Sequence, residues 1–406
     1  MTETRVRAIL AGLAATATAI GLLVVCPAAS LAAAQKPPSC ARGPQPLALL
    51  GSSQFAAFGA ASPCNGWAVG SETSGGVETT AIEHWNGKKW ALQHSPDPAP
   101  PTSEFGGGSD QLDGITVLSK SDVWAAGYVG YAPEQVYSAT LILHFNGKHW
   151  VTVPSPDPGG PYEQNELLAI SAQSAKNIWA VGNYTSGGYQ HTLTMHWNGK
   201  HWSVVASPAP TASNSGLYSV TMTSATTAWA GGYTCVSPST CLPALLSWNG
   251  HKWTARKVPR FKGEVYGSVY GLSSYGGRHP GVWAVGSLET TSADDALILR
   301  WTGRAWQSVP MSLPANLGAY PASVAAYSTT SAVLAGSLYS ASDQEVAMVA
   351  TWNGRRWVFQ RSDETPFGSS LNYRLAGVGG KTCAESFAVG SSFVTQTAQQ
   401  PVAIHC

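Results

Sequence analysis

Asp113, Glu166, Tyr218, Tyr266, Tyr320 and Tyr373 each stand at or near the entry to a strand-like run, several of them just after a long polar loop. Two carboxylates across one site can supply the acid and base of glycoside cleavage. Phenol rings stack on sugar faces and offer a hydroxyl for hydrogen bonding. Taken singly, each of the six is also an ordinary solvated loop residue, since concave sites are few per protein. Other chemistries have less to work with. The chain holds no G-x-S-x-G elbow, no H-E-x-x-H pair and no phosphate-cradling glycine loop. His191, His196 and His201 are spaced by five, which alternates faces on strands and builds no metal site. No Cys/His spacing suits zinc. The sequence therefore assigns no catalytic residue, no metal ligand and no cofactor. The sequon "NYT" (183–185) falls inside a repeat and carries little meaning.

Two recurrent strings define the elements that must hold these residues. The first runs "HWNGKKW" from His84, "HFNGKHW" from His144, "HWNGKHW" from His196, "SWNGHKW" from Ser247, "RWTGRAW" from Arg300 and "TWNGRRW" from Thr351. The second lies upstream and has seven copies: "NGWAVG" (65–70), "DVWAAG" (122–127), "NIWAVG" (177–182), "TAWAGG" (227–232), "GVWAVG" (281–286), "AVLAG" (332–336) and "SFAVG" (386–390). Trp197, Trp248, Trp301 and Trp352 follow one another at 51, 53 and 51 residues. Such periods suit propeller blades of the kelch class. Each period divides into four strand-like runs, in the third unit "LLAISA" (167–172), "IWAVGNY" (178–184), "TLTMHW" (192–197) and "KHWSVVA" (200–206). Four strands in each of seven units predict an all-β, seven-bladed β-propeller with four-stranded blades.

Asn-Gly between apolar runs is a hairpin signal, because both central residues must accept positive φ. A two-residue turn at Asn198–Gly199 would set Trp197 opposite Lys200 and Met195 opposite Trp202. The residue after the glycine is Lys88, Lys148, Lys200, His251, Arg304 or Arg355. A cation over an exposed indole contributes about 0.5–1 kcal/mol, so the string reads as a self-contained aromatic clasp between the two outer strands. All 16 tryptophans belong to the two strings, and Phe145 substitutes once.

Charged residues are 11% of the 406-residue chain and the net charge is +1, which leaves no footprint for nucleic acid. Residues 1–34 read as a signal peptide: Arg5 and Arg7, an apolar stretch, then "LAAAQ" with cleavage near Ala34. An uncleaved anchor or a lipid on Cys26 are the alternatives. The mature chain is expected outside the cell, off the membrane and monomeric. Its six cysteines suit three disulfides.

The seventh unit stops early, where "PVAIHC" (401–406) aligns with "TLTMHW". Residues 35–54 are expected to supply the closing strand, "QPLALLG" (45–51), to the propeller of 55–406. Cys40–Cys406 would then replace the lost corner, Cys64–Cys383 would join the first and last blades, and Cys235–Cys241 would close a local loop. Six cysteines permit 15 pairings, so connectivity stays an expectation.

With these repeats in place, the chain resembles secreted actinobacterial propeller proteins carrying W-N-G-x-x-W and W-A-V-G repeats. That group is described as kelch-like or related to the galactose oxidase central domain. Of the kelch doubled glycine, the W-A-V-G strings keep Gly231–Gly232 alone. The resemblance implies a fold and an address outside the cell. In a propeller the long, dissimilar loops 96–114, 128–138, 156–166 and 287–295 emerge on one face, where binding usually resides. The expected function is recognition of a glycan or cell-surface polymer on that face. A carbohydrate-active hydrolase or lyase at the channel mouth and a protein-interaction scaffold are the alternatives.

Overall fold

The computed structural model describes residues 52–98, 108–131, 137–209, 213–276, 280–290, 294–313, 317–340, 345–361, 372–382, 386–395 and 398–405. Among them the regular structure is entirely β: six antiparallel quartets of strands followed by a trio. In the third quartet, Asn165–Ser174, Asn177–Ser186, Tyr189–Trp197 and Trp202–Val204 pair in sequence order. The trio is Asn372–Gly379, Phe387–Thr395 and Ala398–His405. A single parallel bridge, Glu78 to Ser109, links the first two quartets, and Cys241 to Tyr266 links the fourth and fifth.

The second strand of each unit is apolar on both faces because both faces are covered. Ile178 and Ala180 pack with Trp124 and Ile142 of the preceding quartet. Trp179 and Val181 pack with Leu217 and Val220 of the next. That two-sided burial explains why "IWAV" is a continuous apolar run without alternation. First strands of successive units meet through hydroxyls that satisfy backbone donors: Ala172 N to Thr116 Oγ1 at 3.1 Å, Met222 N to Ser171 Oγ at 3.1 Å and Val378 N to Ser323 Oγ at 3.2 Å.

The W-N-G corner differs from the two-residue turn expected of it. Trp197 pairs with Trp202, and Met195 with Val204. The corner is four residues, Asn198 to His201, in which the Asn198 side-chain oxygen accepts the backbone N–H of Lys200 (2.9 Å) and of His201 (3.1 Å). Asn therefore serves as an acceptor that closes the loop, while Gly199 takes a positive φ, 94°. The cation-over-indole clasp is also corrected. Among the described residues the cation over an indole is Arg300, 5.4 Å from Trp283, and it precedes its corner. In its place His84, His144 and His196 lie against Trp67, Trp124 and Trp179 at 4.1 to 4.8 Å, stacked at His144 and tilted at the other two.

Nor is the clasp self-contained. Trp197 and Trp202 lie 5.8 Å apart and together grip Trp124 of the preceding quartet, at 5.2 and 6.2 Å. Trp248 and Trp253 grip Trp179, and Trp301 and Trp306 grip Trp229, in the same way. The second indole approaches edge-on where Trp202, Trp253, Trp306 and Trp357 meet the neighbour's tryptophan, at 71° to 87°. Its buried Nε1 makes no conventional hydrogen bond in any of the six corners, and an N–H facing a ring is a weak substitute partner. Each corner is thus a socket for an aromatic ring of the neighbouring unit, a tryptophan in five of them and Phe387 at the Trp85–Trp90 corner.

Cys235 and Cys241 form a disulfide across one strand pair. Cys64 is also disulfide-bonded. Cys40, Cys383, Cys406, the strand expected at 45–51 and the signal segment 1–34 lie outside the described residues. No helix among the described residues is long and apolar enough to cross a membrane.

Candidate functional site: a channel mouth built from seven bulges

Every first strand carries a β-bulge at the same point. The extra residue is Ala56, Asp113, Leu168, Tyr218, Tyr270, Ala322 and Ala376 in successive units. Beside each bulge runs the last glycine of the W-A-V-G string. A Cβ on Gly127 would lie 1.8 Å from the Gln111 carbonyl oxygen, one on Gly182 1.9 Å from that of Glu166, and one on Gly390 1.9 Å from that of Arg374. No side chain fits there, so glycine is what admits the bulge. A bulge re-aims the side chain it carries. All seven extra residues line one cavity of about 630 Å³, bounded by the first strand of every unit.

At one end this channel opens into a second cavity of about 700 Å³, whose lining includes Gln54, Gln111, Tyr218, Tyr270, Tyr320 and Tyr339. Its aromatic side is a chain of rings. Tyr218 lies 5.7 Å from Tyr233 and 5.4 Å from Tyr270, and Tyr270 and Tyr320 are stacked at 6.0 Å and 25°. Tyr339 continues the series 6.0 Å from Tyr320. Burial and neighbouring groups raise Tyr218, Tyr233 and Tyr270 above the usual phenol range, so all three keep their protons at neutral pH.

At the Asp113 bulge, on the channel wall, lies an acidic network. Gln111 Nε2 donates to Asp113 Oδ1 at 2.6 Å, and Tyr128 donates to Gln111 Oε1 at 3.1 Å. The other oxygen of Asp113 is buried without a hydrogen-bond partner. Burial pushes Asp113 up to about 7; the Gln111 bond opposes this, while the charges of Glu166 and Glu78 add to it. Glu166 is also raised by burial and held back by its bond to Asn183. From Asn183 the network passes to Gln190 Nε2 at 2.8 Å, and Tyr233 donates to Gln190, so the acidic network and the aromatic series are wired together. Glu78 accepts from Ser71 and Ser109, both at 2.5 Å. The exposed Arg374 Nε stands 3.9 Å from Glu345. Among the described residues no cluster of His, Cys, Asp and Glu has the makings of a metal site.

The six residues singled out from the sequence fall into three groups. Asp113 and Tyr218 occupy bulges, and Glu166 and Tyr320 stand two residues before a bulge on their strands. Tyr266 lies four residues before the Tyr270 bulge, bridged to Cys241, outside the stacked series. Tyr373 sits on the trio's first strand opposite Ser392. Sequence reasoning passed over Tyr270, Gln111, Tyr128, Tyr233 and Tyr339. A signal for the bulge was present: an apolar residue, a free choice, then a small residue, as in "LDG" (112–114), "LYS" (217–219), "VYG" (269–271) and "LAG" (375–377).

No family model matches the chain, and no curated protein matches it. Solved structures do. A polysaccharide lyase, an ulvan lyase, superposes with a TM-score of 0.57 at 9% identity, covering 90% of this chain and 94% of that one. The WD40 β-propeller domain of Doa1 gives 0.42 at 9% identity, with coverages of 90% and 97%. The Trypanosoma rangeli sialidase in complex with the inhibitor DANA gives 0.46 at 10%, covering 77% and 54%. Repeated four-stranded sheets around a channel define the class: this is a β-propeller protein.

Proposed function

We propose that the chain is an exported recognition propeller that binds a glycan or cell-surface polymer at the channel mouth. The observation that carries this reading is the tyrosine series: four neighbouring rings, Tyr218, Tyr270, Tyr320 and Tyr339, arrayed along the wall of an open cavity about 700 Å³ in size. Rigid phenols give apolar contact and a hydrogen bond at low entropic cost, which is what a hydroxylated, flat-faced ligand requires. Asp113, Glu166, Tyr218 and Tyr320 are the proposed ligand contacts, joined by Tyr270. Tyr266 and Tyr373, on the first strands of the fifth and seventh units, are further proposed contacts. A glycan array with the mature protein tests this directly. Binding to a defined subset, lost in Tyr270→Ala, is expected; uniform background signal would contradict it.

The scaffold we infer is a ring of seven blades. Two contacts support it. A Cβ on Gly377 would approach Ala57 Cα to 2.8 Å, as one on Gly114 approaches Ala169 and one on Gly271 approaches Ser323, at 2.8 and 2.9 Å. Phe387 lies 5.6 Å from Trp85 and 5.9 Å from Trp90, filling the first quartet's socket as a W-A-V-G tryptophan fills the others. The trio then takes its fourth strand from residues 45–51, with Cys40–Cys406 and Cys64–Cys383 closing the ring. Export follows from the signal-like segment 1–34 and the paired cysteines.

A second reading, a carbohydrate-active hydrolase or lyase, is favoured by one observation. Asp113 is held near a neutral pKa close to the charge of Glu166, as an acid–base catalyst requires. Release of reducing ends or unsaturated sugars from an array-positive glycan, abolished in Asp113→Asn, would establish it.

A further inference from the structure

The corners form a second surface, at the end of the molecule away from the mouth. Each corner packs on the turn between its unit's first two strands. The Trp85, Trp197 and Trp352 indoles donate to the carbonyls of Pro63, Ala175 and Thr329 in those turns, at 3.0 to 3.1 Å. An antiparallel quartet puts both turns at one end and the loops toward the mouth at the other. Every corner carries one or two lysines or arginines and none carries a carboxylate. Lys89, Lys252 and Arg356 add to the five lysines and arginines that directly follow the glycines, Lys88, Lys148, Lys200, Arg304 and Arg355. All of these side chains are exposed, and none pairs with a carboxylate among the described residues. Packing does not account for them, since none stacks on an indole. The mouth end holds Glu78, Asp113, Glu166 and Glu345 together with Arg374, so the net charge of +1 describes neither end of the molecule.

We propose that the corner end is a docking face for a polyanionic polysaccharide. Three features favour that partner. The cations are spread one or two to a unit around a rim, which suits charges repeated along a flexible chain and gives avidity from individually weak contacts. The corners are stiff, because the Asn side chain ties down two backbone donors in each of five units, as at Asn86, Asn146 and Asn353, so little backbone entropy is lost on binding. The second indole of every corner is buried. The rim therefore lacks the exposed aromatic anchors that a bilayer or a single-stranded nucleic acid would engage. This face is independent of the mouth.

The test uses the mature protein on heparin-agarose, with a sulfopropyl matrix of matched charge as reference. The wild type is expected to elute from heparin at the higher salt concentration. Combining Lys88→Gln, Lys148→Gln, Lys200→Gln and Arg304→Gln should weaken heparin affinity about a hundredfold at low ionic strength, at about two- to fivefold per corner. Tyr270→Ala should leave it unchanged. If the combined variant fails to fold, Lys148→Gln and Lys200→Gln alone supply the per-corner loss. Coincident elution from both matrices, or unchanged affinity in the variants, overturns the proposal. Equal competition by phosphatidylglycerol vesicles or by single-stranded DNA also overturns it, in favour of those partners.

Discussion

At the corners, the paired aromatic rings are 5.5 to 5.8 Å apart in all six units. At the mouth, the seven equivalent bulges hold three alanines, two tyrosines, an aspartate and a leucine. The two regions belong to the same strands and are repeated together, yet one is uniform and the other is not. The difference lies in what each side chain touches. A corner indole is clamped between two units, so its shape is dictated by both. A bulge side chain points into a channel, where any volume fits and chemistry is free to vary.

The contrast is sharpest for the glycine beside the bulge. Gly182→Ala would drive a Cβ to 1.9 Å from the Glu166 carbonyl oxygen. A loss above about 4 kcal/mol, or failure to fold, is expected; a urea midpoint near wild type would refute the bulge account. Next comes Trp179→Ala, which empties the socket of Trp248 and Trp253 and should cost about 3–5 kcal/mol in the same measurement. Breaking Cys235–Cys241 should cost about 2 kcal/mol, because the loop it closes is short.

Mouth substitutions should reverse this order. Asp113 keeps its proton more readily in the folded state, at about 7, than an ordinary carboxyl does. Its contribution to stability is therefore present in full below the ordinary carboxylate range and lost as the pH rises to about 7. Asp113→Asn should flatten that decline, making the variant more stable than wild type at pH 8 and similar at pH 4 in paired urea titrations. A decline equally steep in the variant would assign it to other groups. Lys200→Gln, at the other end, should shift stability by less than about 0.5 kcal/mol.

Most of the scaffold was legible because periodicity exposes it. Recurring tryptophans, Asn-Gly strings and four apolar runs per period located the strands of the third unit to within a few residues. What the corner tryptophans do was not legible. Trp197 and Trp202 are close in the chain, whereas their partner Trp124 comes from the preceding unit, and no spacing within one repeat reveals that. The mouth was read in part for a related reason. Asp113 and Tyr218 stand where long loops meet strands, a feature of sequence; Tyr270 is set apart only by a bulge, and bulges declare themselves through the register with a neighbouring strand. Tyr128 and Tyr233 reach the site through hydrogen bonds across strands, which leave no mark along the chain.

The assignment of selective glycan recognition to the mouth rather than to the corners is tested most directly by titration calorimetry of an array-selected glycan. The wild type, a Tyr218→Ala/Tyr270→Ala/Tyr320→Ala variant and a Lys148→Gln/Lys200→Gln variant would be compared. The tyrosine variant should lose at least about tenfold in affinity while keeping its melting temperature, and the lysine variant should bind as the wild type does. Wild-type affinity in the tyrosine variant would contradict the account.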